Sequence, residues 1–396
     1  MNKCFQRLTS VLFLILFCFP LYAGVPEGIA AYEAGNYALA LKELRQEAEK
    51  GNAEAQYNLA FMYIQGKGVS QDYEKAAGWY QKAVEQGLVA AQHALAVLYH
   101  EGKGVSQDYH KAIELYQKAA EQGFALAQYE LALLYSKGQE IPQDYAKAFE
   151  LYEKVAKEGP PFIQAEAQYK LAYMYLHGQG VAQDLAKATE WFQKSAEKGI
   201  PPAQSDLALL YSSGLGVPQD DQKAFEWYQK AAEQGFAPAQ FEVAKLYMQG
   251  KGVSQDYEKA LEWYQKSAEQ SFPLAQGALG FLYFEGEIVS QDYAKGLELI
   301  QKAAEQGEKQ SQAMLAVCYY EGRGVTKDYE RAAEWGQKAA EQGYAAAQRF
   351  LAYLYEKGRG VSQNYDMALI WYQKAADQGL VGAQKDLERL QKELKK

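Results

Sequence analysis

Residues 55–87 read AQYNLAFMYIQGKGVSQDYEKAAGWYQKAVEQG, and most of the remaining chain is a variation on them. The glycines that close each copy stand at Gly51, Gly87, Gly123, Gly159, Gly199, Gly235, Gly307, Gly343 and Gly379, with Ser271 in the place of one. Their spacing is 36 residues, except for one stretch of 40 between Gly159 and Gly199. A fixed period in the range of about 20–50 residues marks a solenoid, in which each copy buries its apolar face on its neighbours. The expected layout is a leader over residues 1–23 and an N-terminal capping half-repeat over 24–51. Nine repeats follow over 52–87, 88–123, 124–159, 160–199, 200–235, 236–271, 272–307, 308–343 and 344–379, and a C-terminal capping helix over 380–396.

Each repeat reads as helix A, loop, helix B. Ala55, Leu59 and Tyr63 lie four apart with Ala60 and Met62 beside them, which predicts an amphipathic helix over about Ala53 to Gln65. Gly66-Lys67-Gly68 stops it, and Asp72 is placed to cap helix B. Tyr73, Ala76, Tyr80 and Ala83 then continue at helical spacing. Tyrosine fills the Tyr63 column in all nine repeats, glycine the Gly66 column, glutamine the Gln56 column and lysine the Lys82 column. All six tryptophans share one column, at Trp79, Trp191, Trp227, Trp263, Trp335 and Trp371. A large residue that recurs once per repeat among small alanines is a packing part. Two repeats lack the second loop glycine, with Glu140 and Ile288 in its place, and the four extra residues around Pro160-Pro161-Phe162-Ile163 are expected in a turn between repeats. The stripe Leu387, Leu390, Leu394 on an otherwise polar segment suits a capping helix, which favours a monomer.

The first 23 residues stand apart. Lys3 and Arg7 precede the apolar run Val11–Phe19, and Ala23 precedes Gly24. This is the pattern of a secretory signal peptide cut before Gly24, too short to span a bilayer. Export to the periplasm or beyond is the expectation, with no membrane span left after cleavage. Losing Lys3 and Arg7 takes the net charge from −9 to −11, so nucleic acid is excluded as a main partner. Cys318 is the one cysteine left, which rules out an intramolecular disulfide, and its column otherwise holds Met62, Leu98 and Leu134, so it is expected in the core.

The pattern A-x-x-L-A-x-x-Y-x-x-G-x-G-V of Ala55–Val69, followed by D-Y-x-K-A as in Asp108–Ala112 and W-Y-x-K-A-A as in Trp227–Ala232, resembles the Sel-one-like repeat family, relatives of the tetratricopeptide repeats. The resemblance spans the chain beyond the leader. It implies an all-α, right-handed α/α superhelical solenoid with a concave face, serving as a platform for other proteins. Exported bacterial members act in envelope assembly, in signalling or in contact with host cells. One branch staples each repeat with a disulfide, and this chain lacks those cysteines.

No constellation of catalytic type interrupts the repeat. There is no H-E-x-x-H, no G-x-S-x-G and no phosphate loop, and the G-K-G triplets sit where helices stop. His93 and His100 share a helix face near Glu101, but no dense ligand set surrounds them, so no metal or cofactor is expected. The expectation is a non-enzyme. The informative signal lies in the variable columns of helix A. Tyr57, Phe61, Tyr129, Tyr169, Tyr173, Phe241, Phe281, Phe284, Tyr320 and Tyr353, with Phe350 one column over, are candidates to line an aromatic groove. Such a groove suits a protein or peptide partner, and by stacking it also suits a cell-wall glycan, with Glu130, Asp206 and Glu242 to accept sugar hydroxyls. Hydrolysis of a cell-wall or β-lactam bond is the remaining, enzymatic reading. The same aromatics would equally pack between neighbouring helices, and one sequence does not separate the two.

Overall fold

The computed structural model describes residues 25–395, and the leader over residues 1–23 lies outside them. The described residues are all-helical, with 21 α-helices and no strand, arranged as an α-solenoid. They form two compact blocks that divide after Lys194.

In the N-terminal block, α1 (Pro26–Glu33) and α2 (Tyr37–Glu49) make the half-repeat. Repeats one to three follow as α3 (Ala53–Gln65) with α4 (Tyr73–Glu85), α5 (Val89–Glu101) with α6 (Tyr109–Glu121), and α7 (Ala125–Lys137) with α8 (Tyr145–Glu158). Repeat four pairs α9 (Pro161–His177) with α10 (Leu185–Glu197), and the division between blocks falls inside α10. The C-terminal block continues with α11 (Pro201–Ser213), α12 (Asp221–Glu233), α13 (Ala237–Gln249), α14 (Tyr257–Glu269), α15 (Pro273–Glu285) and α16 (Tyr293–Glu305). It ends with α17 (Lys309–Glu321), α18 (Tyr329–Glu341), α19 (Ala345–Lys357), α20 (Tyr365–Asp377) and the capping helix α21 (Val381–Leu394).

Glutamine does the joining. The last carbonyls of a helix have no partner inside it, and burying them bare is costly. The Gln56 side chain lies in the interior and its amide nitrogen donates to the Ala48 carbonyl at 3.1 Å, near the end of the preceding helix B. Gln204, Gln240, Gln312 and Gln348 do the same at 3.1 Å to Ala196, Ala232, Ala304 and Ala340. The other side of each amide is used too. Gln56 Oε1 accepts from Gln86 at 2.7 Å, and Gln240 Oε1 accepts from Gln270 at 2.8 Å, so one side chain ties two helices B to one helix A. Repeat four shows how strict this is. Gln168 lies 12 rather than 8 residues from its acceptor, yet it still donates to Ala156 at 3.1 Å. The four extra residues are not in a turn: Pro160 caps and Pro161 opens α9, which is lengthened to 17 residues. Proline at the first helical position has its φ already set and no amide hydrogen to satisfy, so the insertion extends the helix at its start.

The loop is equally determined. Asp72 accepts from the Lys75 amide at 2.9 Å as the N-cap of α4, and the Asp72 amide donates to the Tyr63 carbonyl at 3.0 Å. Gln71 donates to the Ile64 carbonyl at 2.7 Å and closes the end of α3. The second loop glycine is needed for room. A Cβ on Gly104 would sit 2.1 Å from the Tyr73 carbonyl carbon, because the loop of one repeat lies on the start of the previous helix B. Ser271 adopts φ 61°, taking the turn that glycine makes elsewhere. Each tryptophan is covered by the lysine three residues on, with the ammonium 3.8–4.2 Å from the ring centre, which explains why the Lys82 column does not vary where tryptophan is present. Cys318 is buried in the core, where burial pushes its thiol up to about 11.

Replacing Gln240 by methionine removes both of its bonds, and the Ala232 carbonyl keeps the Gly235 amide, at 2.9 Å. Urea unfolding is expected to show a loss of about 1–3 kcal/mol for the two bonds, against under about 0.5 kcal/mol for Gln265→Ala on the exposed face of α14. Equal losses for the two would contradict the assigned role.

Candidate functional site

In most repeats a ring on helix A meets a ring on its own helix B. Tyr57 packs on Tyr80 with centroids 5.3 Å apart, His93 on Tyr116 at 5.6 Å, Tyr129 on Tyr152 at 5.4 Å, Tyr169 on Phe192 at 5.8 Å and Phe241 on Tyr264 at 5.7 Å. Repeats seven and eight lose both members. Gly277 and Ile300 hold these two columns in one, and Ala313 and Gly336 hold them in the other. Phe350 packs over Gly336, 3.3 Å from where a Cβ there would stand, and Ser311 lies against Gly277; between these helices a cavity of about 480 Å³ remains. It opens on the helix-A face of the C-terminal block, between Phe241 on α13 and Phe350 on α19, with Met314 and Val317 of α17 between them. Its volume is in the range, about 300–1,000 Å³, of pockets that take a ligand or a partner's side chain.

The mouth is apolar and open to water. Phe281 is 49% exposed and Leu274 is 42% exposed, while Met314, Val317 and Phe350 are half-buried. Repeats seven and eight carry no charge at the variable helix-A positions that hold Glu130, Lys170, Asp206, Glu242 and Lys245 in earlier repeats. Charge returns at both edges. Lys245 pairs with Glu242 at 2.8 Å on one side, and Arg349 of α19 pairs with Asp386 of α21 at 2.7 Å on the other. A largely apolar patch, with Glu308 the one charged residue of the cavity lining and further charge at its borders, has the anatomy of a protein docking surface.

The C-terminal border is anchored from inside. Glu356 is 2% exposed and accepts from Arg389 at 2.7 Å, Lys357 at 2.6 Å and Tyr372 at 2.9 Å. Burial alone would raise its pKa, but hydrogen bonds from Arg389, Lys357 and Tyr372 outweigh that and hold it at about 2.

The sequence-predicted groove residues divide. Tyr57, Phe61, Tyr129 and Phe284 are buried and line no open groove. Tyr57 and Tyr129 point at the helix B of their own repeat, and Phe284 lies against Tyr293 at 5.0 Å. Tyr169 is half-buried against Phe192, and Tyr173 is 43% exposed beside His177. Phe241 and Phe281 are the two brought together at the cavity. Tyr320 and Tyr353 are half-buried neighbours, with hydroxyls 3.1 Å apart, and Phe350 packs edge-on to Tyr320 at 5.5 Å. Met314, Val317 and Leu274 escaped sequence reasoning. The signal was available as simultaneous large-to-small changes in the Tyr57 and Tyr80 columns.

Other candidates are not assembled into sites. His93 is not a solvated surface residue: it is fully buried against Tyr116 and Phe124, while His100 faces Glu140 at 3.9 Å on the periphery. Glu130 is buried, and burial pushes its pKa up to about 7, so it is not offered to a sugar. Among the described residues no cluster of three or more His, Cys, Asp or Glu is placed to hold a metal, and no helix is long and apolar enough to cross a membrane.

The Sel1 repeat model matches nine times, at residues 53–88, 89–124, 125–160, 165–200, 201–236, 237–272, 273–308, 309–344 and 345–380. The chain belongs to the Sel1 repeat family. Among solved structures it is similar to a protective antigen present in uropathogenic Escherichia coli strains, which displays an SLR fold: identity is 34%, the TM-score is 0.66, and 88% of this chain and 82% of that one are covered. It is also similar to a Sel1 repeat protein from Oxalobacter formigenes, with 32% identity, a TM-score of 0.57, and 88% and 90% covered. No curated protein matches the chain. Sel1 repeat proteins generally act as protein–protein interaction scaffolds, and the family is generally non-catalytic.

Because the Glu356 pKa is lowered on folding, its ion cluster stabilises fully above the ordinary glutamate value of 4.5 and loses that contribution as pH falls toward about 2. Glu356→Gln is expected to cost about 2 kcal/mol near neutral pH, discounted because Arg389 is partly solvated. The gap from wild type in urea midpoints should close across that acid range. A gap that stays constant would refute the ion cluster.

Proposed function

We propose that this protein is an exported, non-catalytic scaffold that binds a protein or extended peptide on the helix-A face of its C-terminal block. The observation that carries the reading is the mostly apolar cavity found where two successive repeats lose both packing rings, with Glu308 the one charged residue of its lining. Such a cavity takes an apolar anchor from a partner, and its charged borders limit the docked area and exclude wrong partners. The signal-peptide pattern over residues 1–23 and the similarity to a protective antigen support export. The glycan alternative has less to rest on, since Glu130 is interior and Glu242 is already paired with Lys245. The hydrolase alternative has no supporting constellation of acid, base and nucleophile among the described residues.

A photocrosslinking residue at position 281, compared with one at position 82, tests this in cells. Lys82 is exposed, lies over Trp79 in the N-terminal block, and is not among the residues that line the cavity. A discrete protein adduct at position 281 alone, on a chain whose mass lacks residues 1–23, is expected. No protein adduct at position 281, or the same adducts at both positions, would overturn the docking site. A chain that keeps residues 1–23 would overturn export.

A further inference from the structure

The C-terminal block contains five arginines: Arg323, Arg331, Arg349, Arg359 and Arg389. Four have a carboxylate within 4.0 Å, at Glu321, Asp328, Asp386 and Glu356. Arg359 has none among the described residues. Its guanidinium donates to the hydroxyls of Tyr320 and Tyr353, and its centre lies 5.5, 5.6 and 5.9 Å from the rings of Tyr320, Tyr329 and Tyr353. It sits between the two loop glycines Gly358 and Gly360, half-buried. Three rings thus hold a fixed cation that no acid of the block neutralises.

This cation adjoins the cavity. Phe350 lines the cavity wall and packs on Tyr320 at 5.5 Å, and Tyr320 holds Arg359. The two steps of 5.5 Å each put Arg359 within reach of about three extended residues from the Phe350 wall. Tyr320 also donates to the Tyr353 hydroxyl at 3.1 Å, so the Tyr353 proton is not spent on Tyr320 and can serve as a second donor. A guanidinium fixed by neutral partners keeps donors free in a planar fork, the arrangement that recognises a carboxylate. The protein as a whole is acidic, with a net charge of −9, so a carboxylate on a partner is favoured where a cation has no acid beside it.

Building on the docking reading above, we propose that the partner segment carries an aromatic or large aliphatic side chain for the cavity and a carboxylate about three residues away for Arg359 and Tyr353. The carboxylate comes from an aspartate, a glutamate or a chain end. The cavity supplies affinity by burial, and Arg359 sets the register and direction of the segment.

A random dodecapeptide library panned on the whole chain tests this, followed by fluorescence anisotropy of the recovered peptides against wild type, Phe281→Glu and Arg359→Gln. Phe281 is exposed and Arg359 half-buried, and thermal melts check that both variants fold. The expected sequences pair a large apolar residue with an acid at a constant short spacing. Phe281→Glu and Arg359→Gln should each weaken binding about tenfold. Changing the peptide's acid to its amide should weaken binding to wild type about tenfold and have no further effect on Arg359→Gln. That last arm probes the same contact without altering the protein. Apolar-rich peptides that respond to Phe281→Glu but show no acid and ignore Arg359→Gln would overturn the carboxylate contact and leave the docking reading standing. No enrichment, or binding indifferent to Phe281→Glu, would overturn both.

Discussion

A solenoid has to end a helix inside its own core many times over, and each end leaves carbonyls that water cannot reach. The glutamine of helix A answers that constraint in this protein. Its amide donates to the end of the previous helix B, as Gln240 does to Ala232, and its oxygen accepts from the end of its own helix B, as Gln240 does from Gln270. A side chain with one donor group and one acceptor is what this position requires, and leucine or glutamate could not serve both neighbours. The bond in repeat four survives four inserted residues because the insertion adds a helical turn upstream of Gln168 and leaves its place against Ala156 unchanged. The loop glycines and the Asp72-type caps then set how closely the next pair can approach.

Because stacking is secured by glutamine, glycine and alanine, the ring pair within each repeat is free to change. Most repeats keep it and fill their interior. Repeats seven and eight give it up, and their variable positions turn apolar at the same time, with Ala278 and Met314 where earlier repeats hold Glu130, Lys170, Asp206 or Glu242. Gly280 and Gly296 in repeat seven also let α15 and α16 come close, since a Cβ on either would lie under 3.0 Å from the other's carbonyl oxygen. The fold is thus kept at fixed columns, while a site is made by changing residues that the fold does not need. The charged border, from Lys245 and Glu242 to Arg349 and Asp386, confines that site to one part of the surface.

Much of the architecture was legible in one sequence because a repeat supplies its own comparison. The helix from Ala53 to Gln65, the Asp72 cap, the glycine stop and the buried Cys318 all follow from column identity and helical spacing. The site was only half legible. Periodicity places Tyr57 and Phe61 on one side of helix A, but it does not say whether that side meets helix B or solvent. Tyr57 and Tyr129 meet helix B, whereas Phe281 is 49% exposed at the mouth of the cavity. The insertion at Pro160–Ile163 was misread as a turn because two prolines look like a break, although proline is also a good first residue of a helix.

The central claim is that the missing rings leave a cavity able to receive an aromatic group. Methionine-methyl NMR reads this directly, because Met314 lines the cavity while Met62 is buried in the N-terminal block. Titration with indole is predicted to shift the Met314 methyl resonance saturably and to leave Met62 unmoved. A Met314 resonance that does not respond, or that moves only in step with Met62, would contradict the account.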